Sequence, residues 1–573
     1  MWSVVQYRRL GKQVEREWNR HHNGKEFADD TNFNVDVEAG NCAKPPRTAS
    51  SPSTLRSASD SSTSAEHFDH SSDQTSIGEK EHQGSNHGDH VCEKSSTADG
   101  SRNSDNDKIL VELEGESDPL DPRNWSLRSR SINIAVLSFL IFAQGWAGAA
   151  DSMANESISK EFHVSAVAEN LSQSMYLFGI GSGCLFVGPL SETVGRNPTY
   201  LISSLCYMFF VLGSALVHNF GGQVICRYFV GLFASATLGI NGASVGDQFR
   251  AVKRSFVFPV IAWANVAAPM MAPVAGGWIA SNPKLGWRWC EWITLMISAA
   301  AVIVAFLFLP ETYLPVLLDW KAKHLRRVTG DDRYQSKHAE IPSLAKRAKQ
   351  VLPMSVTFCT TEPVIVVLGA YLVLLYILMY SFLSGFEYIF KKRYGISDGL
   401  EGSCFAAIAV GSTVFTLCAP GMYSRARQRT NHKPRAPVDP ESRLWPAITT
   451  APFLPIALFW LGWTNYPSIS IWSGLGACFA FGIVITAMYV ATSEYIIDSY
   501  GEHSAVALAS ITMARYFISG GMVLAARPMY KAIGVHWTMT WLGCIAVLLT
   551  PAPLLFWKYG RRLRERSPYA TAD

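Results

Sequence analysis

From Ser131 onward the chain returns repeatedly to apolar runs long enough to cross a lipid bilayer. A spanning helix takes roughly 20 mostly apolar residues, because the hydrocarbon interior offers no water to backbone groups that the helix leaves unpaired. Twelve such runs can be marked, at 131–151, 171–190, 198–218, 223–246, 255–280, 289–309, 364–385, 400–420, 443–463, 468–491, 504–526 and 536–557. The pattern predicts an all-α membrane protein whose spans fall into two six-helix halves, separated by a polar stretch from DWKAKHLRRVTGDDRYQSKH to LAKRAKQVLP. Paired halves of this kind are the layout of transporters built from parallel repeats.

The predicted domains are a disordered cytoplasmic tail at 1–125, an N-terminal half at 126–312, a cytoplasmic linker at 313–362, a C-terminal half at 363–560 and a short tail at 561–573. The first segment is rich in Ser, Asp, Asn, Glu and His, as in SASDSSTSAEHFDHSSDQTS, and has too little apolar surface to offset chain entropy. MWSVVQYRRLGKQVEREW turns polar before an apolar stretch develops, so no secretory signal is expected. Lys and Arg concentrate in loops on one side: Arg196, the group Arg250, Lys253 and Arg254, the linker, Arg425 to Arg443, and Lys558 to Arg566. The positive-inside rule puts that side, and both termini, in the cytoplasm; Lys391, Lys392 and Arg393 are the exception. The net charge of +4 gives no reason to expect nucleic acid as a partner. The 11 cysteines show neither metal-ligand nor disulfide spacing and read as small core residues, Cys184, Cys206, Cys226, Cys478 and Cys544 among them.

Between the second and third spans lies GPLSETVGRNP, a charged turn between two segments that reject water. Glycine permits a tight bend, a carboxylate can face a helix N-terminus, and an arginine can pair with a nearby acid. Contacts of this type form in one conformation and break in another. Gly188, Glu192, Gly195 and Arg196 therefore read as a conformational gate, with Asp247 at the end of the fourth span as the expected partner of Arg196. The fourth span, VICRYFVGLFASATLGING, carries Arg227 near its start, where an arginine faces a partner, a water-filled cavity or the interface. The fifth, NVAAPMMAPVAGGWI, is bent by Pro269 and Pro273 and can pack closely at Gly276 and Gly277.

The loop Gly188, Glu192, Gly195 and Arg196 resembles the signature of the major facilitator superfamily, with Glu where many members carry Asp. Arg227 and Gly231 resemble its fourth-span arginine motif, which is associated with proton coupling. Pro269, Pro273, Gly276 and Gly277 look like its antiporter signature, whose first glycine is Ala268 here. With GWRWCEW, PETYLPVLL, YIIDSYG and TMARYF, the stretch from about 120 to 567 is similar to the fungal twelve-span drug:proton antiporter group. The resemblance implies the major facilitator fold, a monomeric pump that needs no cofactor beyond the proton gradient, and partners consisting of a small-molecule substrate, protons and the lipid bilayer.

A proton-driven exporter needs a titratable group for which drug and proton compete. Asp151 at the end of the first span and Glu387 near the end of the seventh occupy corresponding helices, and are expected to flank one central cavity. Arg515, about a dozen residues into the eleventh span, is expected to pair with a carboxylate or bind an anionic substrate. With Arg227 these complete the proton-coupling set. Tyr176, Trp263, Tyr371, Tyr376, Tyr380 and Tyr489 are aromatic candidates for a cavity lining.

The expected function is proton-coupled export of drugs, fungicides or toxic secondary metabolites, with the plasma membrane favoured over the vacuolar one. Polyamine export is the alternative, although a polycation wants several acids in the cavity and few are placed for it. A transporter-like nutrient sensor is the reading from another class. No nucleophile–base pair, metal cluster or GxxxxGK[ST] stretch suggests an enzyme or an ATP-driven pump.

Overall fold

The computed structural model describes residues 1–29, 108–282, 284–337, 344–429 and 439–570. Among these, 11 helical stretches are long and apolar enough to span a membrane. The last, Ser504–Arg564, is 61 residues long, far beyond the roughly 20 that a bilayer requires. It breaks at Gly534, whose φ of 74° and ψ of 170° are not helical. The break separates the expected eleventh and twelfth spans.

The first half comprises α2 (Leu127–Ala147), α3 (Ala166–Val194), α4 (Arg196–Leu216), α5 (Phe220–Gln248), α6 (Ala251–Ala280) and α7 (Arg288–Phe308). Two linker helices follow, α8 (Leu314–Thr329) and α9 (Leu344–Thr361). The second half contains α10 (Pro363–Phe386), α11 (Ala406–Arg429), α12 (Phe453–Trp463), α13 (Ile471–Tyr500) and the double-length α14 (Ser504–Leu549). Polar residues set several boundaries: Ser126, Ser165 and Asn219 each accept a hydrogen bond from a first-turn backbone N–H of the helix they precede.

Large apolar side chains such as Phe209, Leu417 and Leu548 are 70%, 75% and 77% exposed, the surface a bilayer covers. Inside, small residues bring backbones together. A Cβ on Gly231 of α5 would collide with the Tyr176 carbonyl of α3, and one on Gly482 of α13 with the Ile408 carbonyl of α11. The second and fourth spans of one half thus pack as the eighth and tenth do in the other, by glycine-mediated contact. Four of the nine described cysteines are buried, including Cys184 and Cys478. Cys544 is exposed and Cys206 and Cys226 are half-buried, which corrects their reading as core residues: a thiol is apolar enough for the outer face of a bundle.

The tail expected at 1–125 is corrected at both ends. Trp2–Asp29 forms a helix, α1, and its part through Asn19 belongs to the same unit as Lys108–Asp573. Tyr7 packs edge-on against Trp320 of α8 at 5.4 Å, Gly11 sits against His324, and Val14 is 2% exposed. Their spacing makes one apolar helical stripe, which the polar average composition concealed. The Met1 ammonium donates to the Phe306 carbonyl at 2.7 Å, and Gln6 exchanges two hydrogen bonds with the Glu311 backbone. At the other end Ile109–Leu110 pairs in parallel with Tyr334–Gln335, and Lys321 reaches Glu114 at 2.5 Å. The expectation for residues 30–107 lies outside the described residues.

Candidate functional site

The helix directions give the bundle a linker end, where α1, α8 and α9 sit, and a far end. At the far end the first half encloses three charges. Arg227 of α5 pairs with Asp151 and, at 2.8 Å, with Glu291 of α7; the three are 3%, 7% and 1% exposed. Arg227 also donates to the Ala147 carbonyl at 2.9 Å, and Ser214 donates to Glu291 at 2.7 Å. A guanidinium so placed is not snorkelling to the interface; it is the counter-ion that lets two acids stay buried. Glu291 lies in GWRWCEW, so the stretch was marked but its acid was not singled out.

Asp151 and Arg227 line a cavity of about 10 Å³ with Tyr176 and a further carboxylate, Glu169 of α3. Glu169 is buried, accepts a hydrogen bond from Asn155, and among the described residues forms no ion pair. Sequence reasoning missed it because it stands in SAVAENLS, a few residues outside the apolar window. Asn155 turns its carbonyl oxygen to Arg527 of α14 at 3.0 Å, and Arg527 pairs with Glu387 at 2.7 Å. Glu387 therefore belongs to the seam between the halves, also pairing with Lys392 at 2.8 Å, and does not line the Asp151 cavity. The expected common cavity for Asp151 and Glu387 is corrected: each acid is drawn to the cation on its own side of the seam.

Pro269, Pro273, Gly276 and Gly277 lie on α6, which stays continuous through its prolines; Pro273 and Gly277 face that seam, whereas Pro269 packs on Gly145 of α2 and Gly276 on Ala150 and Met153 of the same half. A Cβ on Gly277 would stand 2.6 Å from the Asp398 carbonyl, so only glycine lets the second half approach here. The short helix Asp398–Cys404 supplies the opposing surface, and Trp278 donates to Ser403 at 3.2 Å.

At the linker end, Arg196 and Asp247 are brought together, Nε to Oδ2 at 3.0 Å. Gly195 turns the chain at φ 107°, and a Cβ there would press on the Glu311 carboxylate at 2.6 Å. That carboxylate accepts backbone N–H bonds from Arg196, Asn197, Thr312 and Tyr313 at 2.8–3.0 Å, capping α4 and tying the loop to the chain after α7. Burial pushes the Glu311 carboxyl above its ordinary range, while these four donors pull it down. Glu192 pairs with Arg347 of α9, so the loop bridges to the linker. A Cβ on Gly188 would meet nothing within 4 Å, so close approach is not what requires glycine there.

The polar contacts joining the two halves at this end lie elsewhere, as one ion pair and the hydrogen bonds of a second arginine. Arg254 of α6 pairs with Asp498 of α13; Arg443 pairs with Asp498 at 2.7 Å and Glu494 at 3.4 Å. Arg443 also donates to Ser255 and, at 2.9 Å, to the Ala251 carbonyl. Asp498 belongs to YIIDSYG, and Arg254 and Arg443 were counted as loop charges, but only the fold puts them into one clamp.

Between the two ends lies Arg515 of α14, 2% exposed and about half-way through the membrane at 1.5 Å rise per residue. The rings of Tyr376, Tyr516 and Tyr489 face its guanidinium at 4.1, 5.0 and 5.3 Å. No described carboxylate pairs with it, and its Nε has no hydrogen-bond partner. Cation–π attraction is worth about 0.5–2 kcal/mol per ring, whereas a buried ion loses several kcal/mol of hydration. The tyrosines soften that penalty without replacing an anion. Of the other aromatic candidates, Tyr371 and Tyr380 are buried, and Trp263 donates to Thr413 across the seam at 2.8 Å.

Comparison with known proteins decides the family. A profile described as Major Facilitator Superfamily matches residues 135–526. The chain belongs to the major facilitator superfamily. This transporter is 39% identical over 463 residues to the MFS-type transporter kojT of Aspergillus oryzae, covering 80% of this chain and 82% of that protein. It is 32% identical to the citrinin biosynthesis cluster MFS transporter mrr1 of Monascus ruber, over 81% of this chain and 93% of that one. The proton:xylose symporter XylE superposes with a TM-score of 0.53 at 17% identity, over 76% of this chain and 96% of that chain, a likeness of fold. The transporter is thus an integral membrane protein of the major facilitator fold, and both ends of its seam are bridged in this conformation.

Proposed function

We propose that the protein exports small organic molecules in exchange for protons, as a member of the fungal drug:proton antiporter group, by rocking its halves about the seam. The observation that carries this reading is the buried guanidinium of Arg227 shared by Asp151 and Glu291, with Glu169 on the same cavity. With both acids ionised, Arg227 holds the end of α2 against α5 and α7. A proton on Asp151 leaves Arg227 to Glu291 alone and frees the end of the first span. Glu169 shares Asn155 with Arg527, so its charge bears directly on the far-end seam. Protonation then favours one closure over the other by differential interaction, which is all that coupling requires.

The distribution of Lys and Arg supports a cytoplasmic linker end and cytoplasmic termini; in that orientation the clamp of Arg254, Arg443, Glu494 and Asp498 is the inner gate. Gly277 of α6 against the Asp398 carbonyl, and Arg527, held by Glu387 and donating to Asn155, form the outer one. The loop from Gly188 to Arg196 transmits motion through Glu192–Arg347 to the linker. The relative named for a citrinin biosynthesis cluster supports a secondary metabolite or related toxin as cargo, and the plasma membrane is the membrane this reading favours. The seam cavity is lined by Arg515 and by no acid, which disfavours polyamines.

In proteoliposomes, an imposed pH gradient is expected to drive efflux of small aromatic compounds by the wild-type protein. Asp151→Asn is expected to lose the gradient response while retaining gradient-independent exchange. Wild-type transport indifferent to the gradient would overturn the coupling.

A further inference from the structure

We infer that Arg515 is the recognition site for a single negative charge on the cargo, and that the substrate class is a small planar aromatic or heteroaromatic acid: a carboxylate, or an ionised phenol or enol. The inference rests on the export reading and names its substrate class. Four observations carry it.

The first is the contrast among buried arginines. Arg196, Arg227, Arg254 and Arg443 each hold at least one carboxylate, and Arg130 donates to the carbonyls of Arg123 and Gln248. Arg515 is as buried as any of these, yet among the described residues neither an acid nor a carbonyl pairs with it. A guanidinium offers five donors in a planar fork that fits carboxylate and similar oxyanions. A bundle that supplies acids or carbonyls to its other deep cations has left this one open.

The second is position. Arg515 lines a cavity of about 20 Å³ whose wall comes from both halves: Leu238, Asn241 and Phe258 from the first, Tyr489, Ser493 and Thr512 from the second. That volume holds about one water, so the closed conformation has no room for cargo. Separation of the halves must widen a cavity that straddles their seam.

The third is the charge balance of the wall. Its other polar residues, Asn241, Ser493 and Thr512, are neutral, and no acid lines it. A cationic ligand would meet an unopposed positive charge; an anion would meet the missing partner.

The fourth is shape. Tyr376, Tyr489 and Tyr516 surround the guanidinium with flat faces. They shield it while the site is empty and offer stacking surfaces to a ring attached to the acid.

The test uses the purified full-length protein at pH 7.4 and three matched probe sets on benzene, naphthalene and indole rings. Each set contains the carboxylic acid, its primary amide and the corresponding aminomethyl compound. Ligand-induced shifts in melting temperature give apparent affinities. In the wild type at least one acid is expected to bind ten-fold or more tightly than its amide and its amine. Arg515→Gln is expected to bring acid and amide within two-fold while leaving amide binding unchanged, and Arg515→Lys to keep part of the preference. The inference is overturned if no acid outperforms its amide, or if the preference survives in Arg515→Gln. Should that variant not fold, Arg515→Lys decides: a preference undiminished relative to wild type overturns the fork-specific site. Gradient-driven efflux of an amide or amine, with acids ignored, would remove the anion class and leave proton-coupled export standing. Acid binding with transport blind to the gradient would do the reverse.

Discussion

Replacing Arg443 with glutamine removes a side chain that, among the described residues, pairs with both acids of the linker-end clamp. Asp498 retains Arg254, but among the described residues Glu494 retains only the Ser255 hydroxyl, at 3.1 Å, and it is fully buried. Removing one partner of a buried pair costs about 3–5 kcal/mol, because the other charge stays behind uncompensated. Arg254 still stands near Glu494 and offsets part of this, so the lower figure is appropriate. At 1.4 kcal/mol per decade, about 3 kcal/mol moves the closed-to-open equilibrium at this end by roughly two decades. Hydrogen exchange read by mass spectrometry is expected to show that shift in peptides covering residues 249–256 and 494–503, with little change at the far end. The second substitution is the sharper check. Adding Glu494→Gln to Arg443→Gln removes the stranded charge, so the double variant is expected to recover most of the lost protection. Unchanged exchange in Arg443→Gln, or a double variant no better protected than the single, would refute the assignment of the clamp to Arg443 and Glu494.

Other outcomes follow from single contacts. Gly195→Ala forces a side chain into φ 107° and against Glu311, and is expected to lower stability by about 1–3 kcal/mol, read as a reduced melting temperature in detergent. Gly277→Ala places a methyl against the Asp398 carbonyl and is expected to leave the protein folded but hold the far end open, read as increased hydrogen exchange across residues 398–404 with reduced transport. The His324 Nε2–H donates to the Tyr7 carbonyl, 3.1 Å away, and burial lowers the histidine pKa against that hydrogen bond, with Arg327 acting in the same direction as burial. A lowered value means the docked helix holds the neutral ring. Its contribution is full above the ordinary histidine range and is lost as pH falls through the lowered value. Exchange in residues 2–19, corrected for intrinsic rates, is therefore expected to rise between pH 7.5 and 5, and His324→Gln is expected to abolish that dependence.

Legibility from sequence followed the range of the interaction. Arg196 and Asp247 could be matched because one lies in a charged turn and the other ends the next-but-one helix on the same side. The glycines of α6 were visible because small residues beside prolines in an apolar helix have few other uses. Glu311 and Asp498 stood inside conspicuous stretches, but their partners are distant in the chain. Glu169 gave no signal, since an acid just outside an apolar window reads as an ordinary loop charge. The stripe of Tyr7, Gly11 and Val14 was hidden by averaging over a polar segment.

By itself the sequence determined the number and alternation of the spans and the division into halves. The bilayer forces each span to satisfy its own backbone, and that demand is written locally in hydropathy. Apart from Arg196 and Asp247, tertiary structure decided which charges meet. Ion pairing inside a bundle depends on which helix faces bring distant residues within a few ångströms, so Arg227 acquired two acids, Arg443 came to bridge two more, and Arg515 was left with tyrosines.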